Sequence, residues 1–237
     1  MKPKLVASGV HAVGLGVVNV FVVELDEADG GGLVLIDAGL RRSPGRIVSA
    51  LGAIRRSLRE VCAIVVTHGH GDHVGGLAEV KRLSGAEVWM HAADAALLRE
   101  GAGGREWEAG PGALRWALAK TMAARAAPRV EPVAVEHEVD DGEVLPFAGL
   151  TALHTPGHTA GHLCYLLPRD GGVLFVGDAA THFTHLGIGP IYEDSAEGMR
   201  SLARLSALDF QVACFSHGRA LKPGADLRFR ERWPATG

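Results

Sequence analysis

A chain of 237 residues, 47% hydrophobic and 22% charged, has enough apolar material for one sizeable core, as one compact domain or a domain carrying an inserted lid. Its formal net charge of -3 gives no electrostatic case for nucleic acid or an anionic membrane as partner, and no apolar run approaches membrane-spanning length. Aromatics are only 5%, so the core must rest on Val, Leu, Ala and Ile.

The opening MKPKLVASGVHAVG lacks the shape of a signal peptide, which makes a cytoplasmic protein the default expectation. Residues 17–25 (VVNVFVVEL) and 33–37 (LVLID) read as strands split by the acidic-glycine turn DEADGGG. Apolar spacing predicts a helix over 45–60, started by Ser43-Pro44, then a strand at 61–66 and a polar loop at 67–75. A helix near 77–83, a strand at 86–90 and a helix near 92–100 follow. Residues 101–129 begin glycine-rich, then turn Ala-rich and helical, ending before Pro128, the pattern of an inserted helical cap within a single domain spanning 1–237. Strands are expected at 132–135, 150–154, 162–167, 173–176 and 211–215, with a helix at about 195–207. The tail from Arg219 to Arg232 mixes bases with Asp226 and Glu231 and reads as solvated surface. Cys62, Cys164 and Cys214 each lie inside an apolar run, so buried reduced thiols are expected rather than a disulfide framework. Strands alternating with helices point to two β-sheets packed together and covered by helices.

Directly after the strand VCAIVV comes Thr67-His68-Gly69-His70-Gly71-Asp72-His73-Val74-Gly75-Gly76. Imidazoles separated by one residue can converge on one ion when the loop curls, while Asp72 and His73 can face a second. Histidine nitrogen and carboxylate oxygen suit zinc, iron or manganese. Ligand-type residues recur beyond later predicted strands: His158 in Thr155-Pro156-Gly157-His158-Thr159-Ala160-Gly161-His162, Asp178 in Gly177-Asp178, and His217 in Ser216-His217-Gly218. Each is weak alone; jointly they make seven ligands for two sites.

These four stretches, with the opening VNVFVVEL and LVLIDAGL, resemble the successive motifs of the metallo-β-lactamase superfamily along nearly the whole chain. The resemblance implies an α/β fold: an αβ/βα four-layer sandwich of two mixed β-sheets flanked by helices, with the site at one edge. It also implies that His68, His70 and His158 hold a first metal, that Asp72, His73 and His217 hold a second, and that Asp178 bridges them. Two divalent ions are the expected cofactors, zinc first, with iron or manganese as alternatives.

Around this set, Asp37 is expected either to orient the ligand loop or to cap a turn, and His162 to be structural. His11, His91, His137 and His154 show no partner pattern. His182, His185 and Tyr192 follow Asp178, where substrate could approach, and His182 and Tyr192 are candidates to assist a leaving group. The chemistry expected is cleavage of a carbonyl ester, lactone or thioester by metal-bound hydroxide, with Asp72 orienting the nucleophile. The motifs resemble the lactonase and glyoxalase II branches, each with a gap. Acyl-homoserine-lactone hydrolases carry a tyrosine where this chain reads Asp178-Ala179-Ala180-Thr181-His182, and glyoxalase II enzymes carry a longer C-terminal region. Five histidines with two aspartates argue against β-lactam hydrolysis. A phosphodiesterase is the first alternative, disfavoured by the lack of a basic patch. A mononuclear-iron persulfide dioxygenase would need only two histidines and an aspartate, and a non-catalytic binding module would have no need for all seven. The partner expected is a small-molecule substrate, with neither nucleic acid nor membrane; a homodimer is left open.

Overall fold

The computed structural model describes residues 2–105, 108–109 and 129–234. Most of the helical cap expected at 101–129 lies outside the described residues. In chain order the elements are β1 (Lys4–Ala7), β2 (Val10–Gly14), β3 (Asn19–Glu24), β4 (Leu33–Ile36), α1 (Pro44–Ala53), β5 (Val61–Val65), α2 (Gly71–Val74), α3 (Leu77–Ser84), β6 (Glu87–Met90) and α4 (Ala92–Arg99). There follow β7 (Glu108–Ala109), β8 (His137–Glu138), β9 (Thr151–His154), β10 (Leu163–Leu167), β11 (Val173–Gly177), β12 (Thr181–His182), β13 (Leu186–Gly187), β14 (Ile191–Tyr192), α5 (Ser195–Ser206), β15 (Val212–Phe215) and α6 (Ala225–Arg232).

Seven strands form one sheet in the order β1-β2-β3-β4-β5-β6-β8, and four form a second, β15-β11-β10-β9. Both are mixed: β1 to β4 pair antiparallel and β4, β5, β6 and β8 parallel, while β9, β10 and β11 pair antiparallel and β11 pairs parallel with β15. The strands are apolar on both faces because both faces are covered. With a side-chain period of two, Phe21, Val23, Val34 and Ile36 turn inward to meet Leu163, Tyr165, Val173 and Phe175 of the other sheet. Val20, Val22, Leu33 and Leu35 turn outward onto Ile47 and Leu51 of α1, Leu77 and Val80 of α3, and Ala95 and Leu98 of α4. On the far side Leu174 and Val176 pack with Leu202 and Leu205 of α5 and Phe229 of α6. The result is the four-layer αβ/βα sandwich. Between the sheets, the Tyr165 hydroxyl donates to the Val66 carbonyl at 2.9 Å, so the one polar atom of that ring is satisfied.

Several local expectations are corrected. The helix expected to reach 60 stops at Ala53, because Arg55 takes a left-handed backbone (φ 60) and Ser57 opens a separate short turn, its amide donating to the Glu60 carboxylate at 2.7 Å. No strand forms at 132–135. The Val88 amide is taken by the Glu136 side chain at 2.9 Å, so pairing along β6 begins only at Trp89 with His137. Cys164 and Cys214 are buried, but Cys62 is exposed, its position on β5 turned away from the core. The basic tail holds α6, which buries Phe229 beneath its exposed Arg228 and Glu231. Among the described residues no helix is long and apolar enough to cross a membrane.

Candidate metal centre

The seven residues singled out above come together at one edge of the sandwich, each on the segment that leaves a strand. Parallel strands deliver their carboxyl ends to a common edge, where open α/β sheets place ligands. β5 leads into His68, His70, Asp72 and His73; β11 leads directly into Asp178; β15 leads into His217; and the loop from β9 to β10 carries His158.

Asp37, at the end of β4, organises the first loop. Its carboxylate accepts from the Thr67 amide (2.8 Å), the Thr67 hydroxyl (2.8 Å) and His73 Nδ1 (2.8 Å). Thr67 Oγ1 lies 3.0 Å from His68 Nδ1, which donates to it. His158 Nδ1 donates to the Ile191 carbonyl at 2.8 Å, and His217 Nδ1 to the Val17 carbonyl at 2.7 Å. In these four rings the outward nitrogen is therefore spent on a protein acceptor. That orients each ring and turns its Nε2 inward.

Three of the inward nitrogens form a triangle: His68 Nε2 to His70 Nδ1 is 3.1 Å, His70 Nδ1 to His158 Nε2 is 2.9 Å, and His158 Nε2 to His68 Nε2 is 3.2 Å. Burial, reinforced by the neighbouring imidazoles, lowers the pKa of all three, that of His70 to about 4. Neutral imidazoles so placed have lone pairs opposed to one another, and a cation among them removes that conflict. Nitrogens held at about 2.0–2.1 Å from a tetrahedral zinc would stand close to these separations.

The acidic half lies beside it. His217 Nε2 is 3.3 Å from Asp72 Oδ2 and 3.2 Å from Asp178 Oδ2, and His73 Nε2 is 3.5 Å from Asp178 Oδ1. Asp178 Oδ2 also lies 3.6 Å from His158 Nε2, which puts this carboxylate between the two groups. Burial opposes charge on His73 and His217, but the carboxylates of Asp178 and Asp72 outweigh it, giving about 9 and about 11. Burial likewise opposes ionisation of Asp72 and Asp178, and the facing histidines hold both carboxyls well below the usual range. His73 Nε2 and Asp178 Oδ1 are buried without a hydrogen-bond partner among the described residues. Buried polar atoms are nearly always satisfied, and a divalent cation bound by both would satisfy this pair. The donor set therefore fits a divalent metal.

The other expected residues divide. His162 is structural: its Nε2 accepts from the Asp178 amide at 3.0 Å and its Nδ1 donates to Thr155 at 2.8 Å. Gly177 makes that approach possible, since a Cβ there would stand 2.5 Å from His162 Nε2. Of the two roles weighed for Asp37, its bonds to Thr67 and His73 show the orienting one. His182 is tied to the His217 segment, its amide donating to the His217 carbonyl (3.1 Å) and its Nδ1 to the Arg219 carbonyl (2.9 Å). His185 is exposed, with Nδ1 3.0 Å from Thr184 Oγ1. Tyr192, expected to face substrate, is instead buried at 2% exposure. Its hydroxyl donates to the Ala179 carbonyl at 2.8 Å and its ring lies edge-on to His158. Two residues of the surroundings carry no local sequence signal. Asn19 donates to the carbonyls of Phe215 (3.0 Å) and Gly218 (2.9 Å) on either side of His217. Asp94 contacts both histidine loops.

The family description "Metallo-beta-lactamase superfamily" matches residues 13–217. The chain belongs to that superfamily. Among members, it is 30% identical to "Probable metallo-hydrolase YflN" of Bacillus subtilis (strain 168), over 73% of this chain and 64% of that protein. It is 35% identical to a hydroxyacylglutathione hydrolase of Pseudomonas aeruginosa (strain LESB58), over 61% of this chain and 42% of the relative. The matches thus span less than two thirds of the length of either relative. A solved metallo-β-lactamase of Cronobacter sakazakii shares the fold with a TM-score of 0.70 at 26% identity, over 92% of this chain and 78% of that one. The αβ/βα sandwich is the superfamily's fold, and the clustered histidines and aspartates are the metal-binding type of side chain on it.

Proposed function

We propose that the chain is a dinuclear metal-dependent hydrolase of carbonyl esters, with thioesters and lactones the substrates that fit best. The observation that carries this reading is the pairing of three converging neutral imidazoles with an adjoining orphaned His73 Nε2 and Asp178 Oδ1. His68, His70 and His158 would hold one ion, Asp72, His73 and His217 the other, and Asp178 both; zinc suits this nitrogen and oxygen set. Bound there, such ions polarise a carbonyl and lower the pKa of water towards about 7. The chain's own part is positioning and proton handling. Asp72 is the carboxylate that water and substrate can reach, its side chain 28% exposed against 12% for Asp178. It orients the attacking water and takes its proton. The thioester preference draws support from the relatives named hydroxyacylglutathione hydrolase.

A polar end on the substrate is supported by the loop after Asp37. The Ala38 amide donates to the His73 carbonyl and Gly76 to Gly39, which sets residues 38–42 against the second half of the site. A cavity of about 620 Å³ is lined there by Leu40, Arg41 and Arg42 among the described residues. Both arginines are exposed and without an ion pair among the described residues, which suits a substrate carrying a carboxylate or similar anion. His182, with Nδ1 donating to the Arg219 carbonyl, keeps Nε2 as the atom that, in the imidazolium form, would give its proton to a leaving alkoxide and leave the ring neutral. Its replacement by Ala should cost more on an alkyl ester than on an aryl ester of the same acid, and equal losses would remove it from the chemistry.

The test of the whole reading is elemental analysis of the active protein with a substrate panel. About two metals per chain and turnover of thioesters, lactones or aryl esters are expected. Full activity with one metal would defeat the dinuclear assignment, and a kcat/KM preference for phosphodiesters would defeat the carbonyl one.

A further inference from the structure

Asp94, near the start of α4, belongs to none of the metal-type clusters, yet its carboxylate is 1% exposed and has four donors around it. Oδ2 accepts from the Gly69 amide at 3.0 Å and the Thr159 hydroxyl at 2.7 Å. Oδ1 accepts from the Gly161 amide at 3.0 Å and from Arg105 Nη1 at 2.9 Å. Gly69 separates His68 from His70, and Thr159 and Gly161 follow His158. One carboxylate thus ties together the two loops that carry the imidazole triangle, one loop from each sheet. The fit is close: a Cβ on Gly161 would stand 2.7 Å from Asp94 Cγ. Glu193 forms a second tie, accepting from the Ala160 amide at 2.7 Å and donating its own amide to the His158 carbonyl at 3.2 Å. Arg105 spans the two acids, with Nη1 also 3.5 Å from Glu193 and Nη2 donating to the Ala93 carbonyl. A buried carboxylate with a cationic partner and all its acceptor sites filled offsets its desolvation, and such networks hold one geometry.

We infer that Asp94 is a positioning residue for the first metal site: it clamps the His68–His70 turn and the His158 loop into one frame, and thereby sets that site's affinity without supplying a ligand. This rests on the metal-binding reading above. A carboxylate is required because all four contacts are donors. In Asp94→Asn the amide NH₂ must face either Gly69 and Thr159 or Gly161 and Arg105, so each orientation opposes donor to donor.

The experiment measures zinc affinity by chelator competition, together with the visible spectrum of the cobalt-loaded protein and the melting temperature of the metal-free protein. It is run in the parent and in the His217→Ala background, where the first site stands alone. Asp94→Asn should weaken the first site about 10- to 100-fold, the usual effect of removing a partner that orients ligands, and change its cobalt spectrum. The second site should stay within about twofold. Thr159→Ala, losing one donor, should give a smaller loss in the same direction, and Asp226→Asn, a buried acid on α6, none. Parent-like zinc affinity in both Asp94→Asn and Thr159→Ala overturns the inference, as does an equal loss at both sites that Asp226→Asn reproduces. If Asp94→Asn does not fold, Thr159→Ala decides alone. A parent that binds no metal overturns the metal reading and this inference with it, whereas a parent that binds and an indistinguishable Asp94→Asn overturns only the clamp.

Discussion

Asp178 has one oxygen 3.5 Å from His73 Nε2 and the other within 3.2 Å of His217 and 3.6 Å of His158, so it reaches both halves of the site. His217 reaches only the acidic half. Asp178→Ala should therefore lose metal from both sites, while His217→Ala should lose about one metal per chain and keep the other. Stoichiometry after dialysis reads this directly, and retention of two metals by Asp178→Ala would end its bridging role. At this scale the candidate ligands were legible because a short loop with three histidines and an aspartate is rare without a shared ion. The residues that orient them were less so. Asp94 makes its contacts to Gly69 and Thr159 across 25 and 65 residues, and Asn19 reaches Phe215 across 196, so nothing local marks either. Tyr192 was misread because position after Asp178 says nothing of side-chain direction, and an intact hydrogen bond to Ala179 now accounts for its hydroxyl.

Elements show the same division between what local pattern encodes and what packing decides. The central strands were readable because burial on both faces forces continuous apolar runs. β1 and β2 were not singled out, and their LVASGVHAVG is broken by Ser8 and Gly9 at the turn. The end of α1 and the late start of β8 were settled by a left-handed Arg55 and by the Glu136 side chain, neither of which periodicity records. The loop at 38–42 carries a prediction of its own. If Arg41 and Arg42 meet an anionic group, replacing either by Ala should raise KM for an anionic thioester about fivefold, the equivalent of about 1 kcal/mol for a partly exposed pair. A neutral thioester should be unaffected, and added salt should narrow the difference. Equal KM changes for both substrates would remove the arginines from recognition.

For the whole molecule, the site is also a fastener. His68, His70, Asp72 and His73 follow a strand of the seven-stranded sheet, whereas His158, Asp178 and His217 hang from the four-stranded one. Any ion held by the proposed ligands joins the two sheets, and it can bind in this arrangement only while they are packed. Ligands that bind only the native state stabilise it by mass action, about 2.7 kcal/mol at a free concentration one hundred times Kd. In a chain of this size each kcal/mol moves Tm by about 2–4 °C. Zinc at that concentration should therefore raise Tm by roughly 5–11 °C for each ion held, over the chelator-treated protein, the product of those two relations. His217→Ala should keep part of the shift, because the imidazole triangle already spans both sheets through His158. His158→Ala should also keep only part of it, since it removes one of the two ligands, with Asp178, by which the first site holds the four-stranded sheet. Calorimetry on the three proteins, each with chelator and with zinc, gives the size of each shift. A zinc shift that His158→Ala leaves wholly intact would overturn the assignment of His158 to the first site.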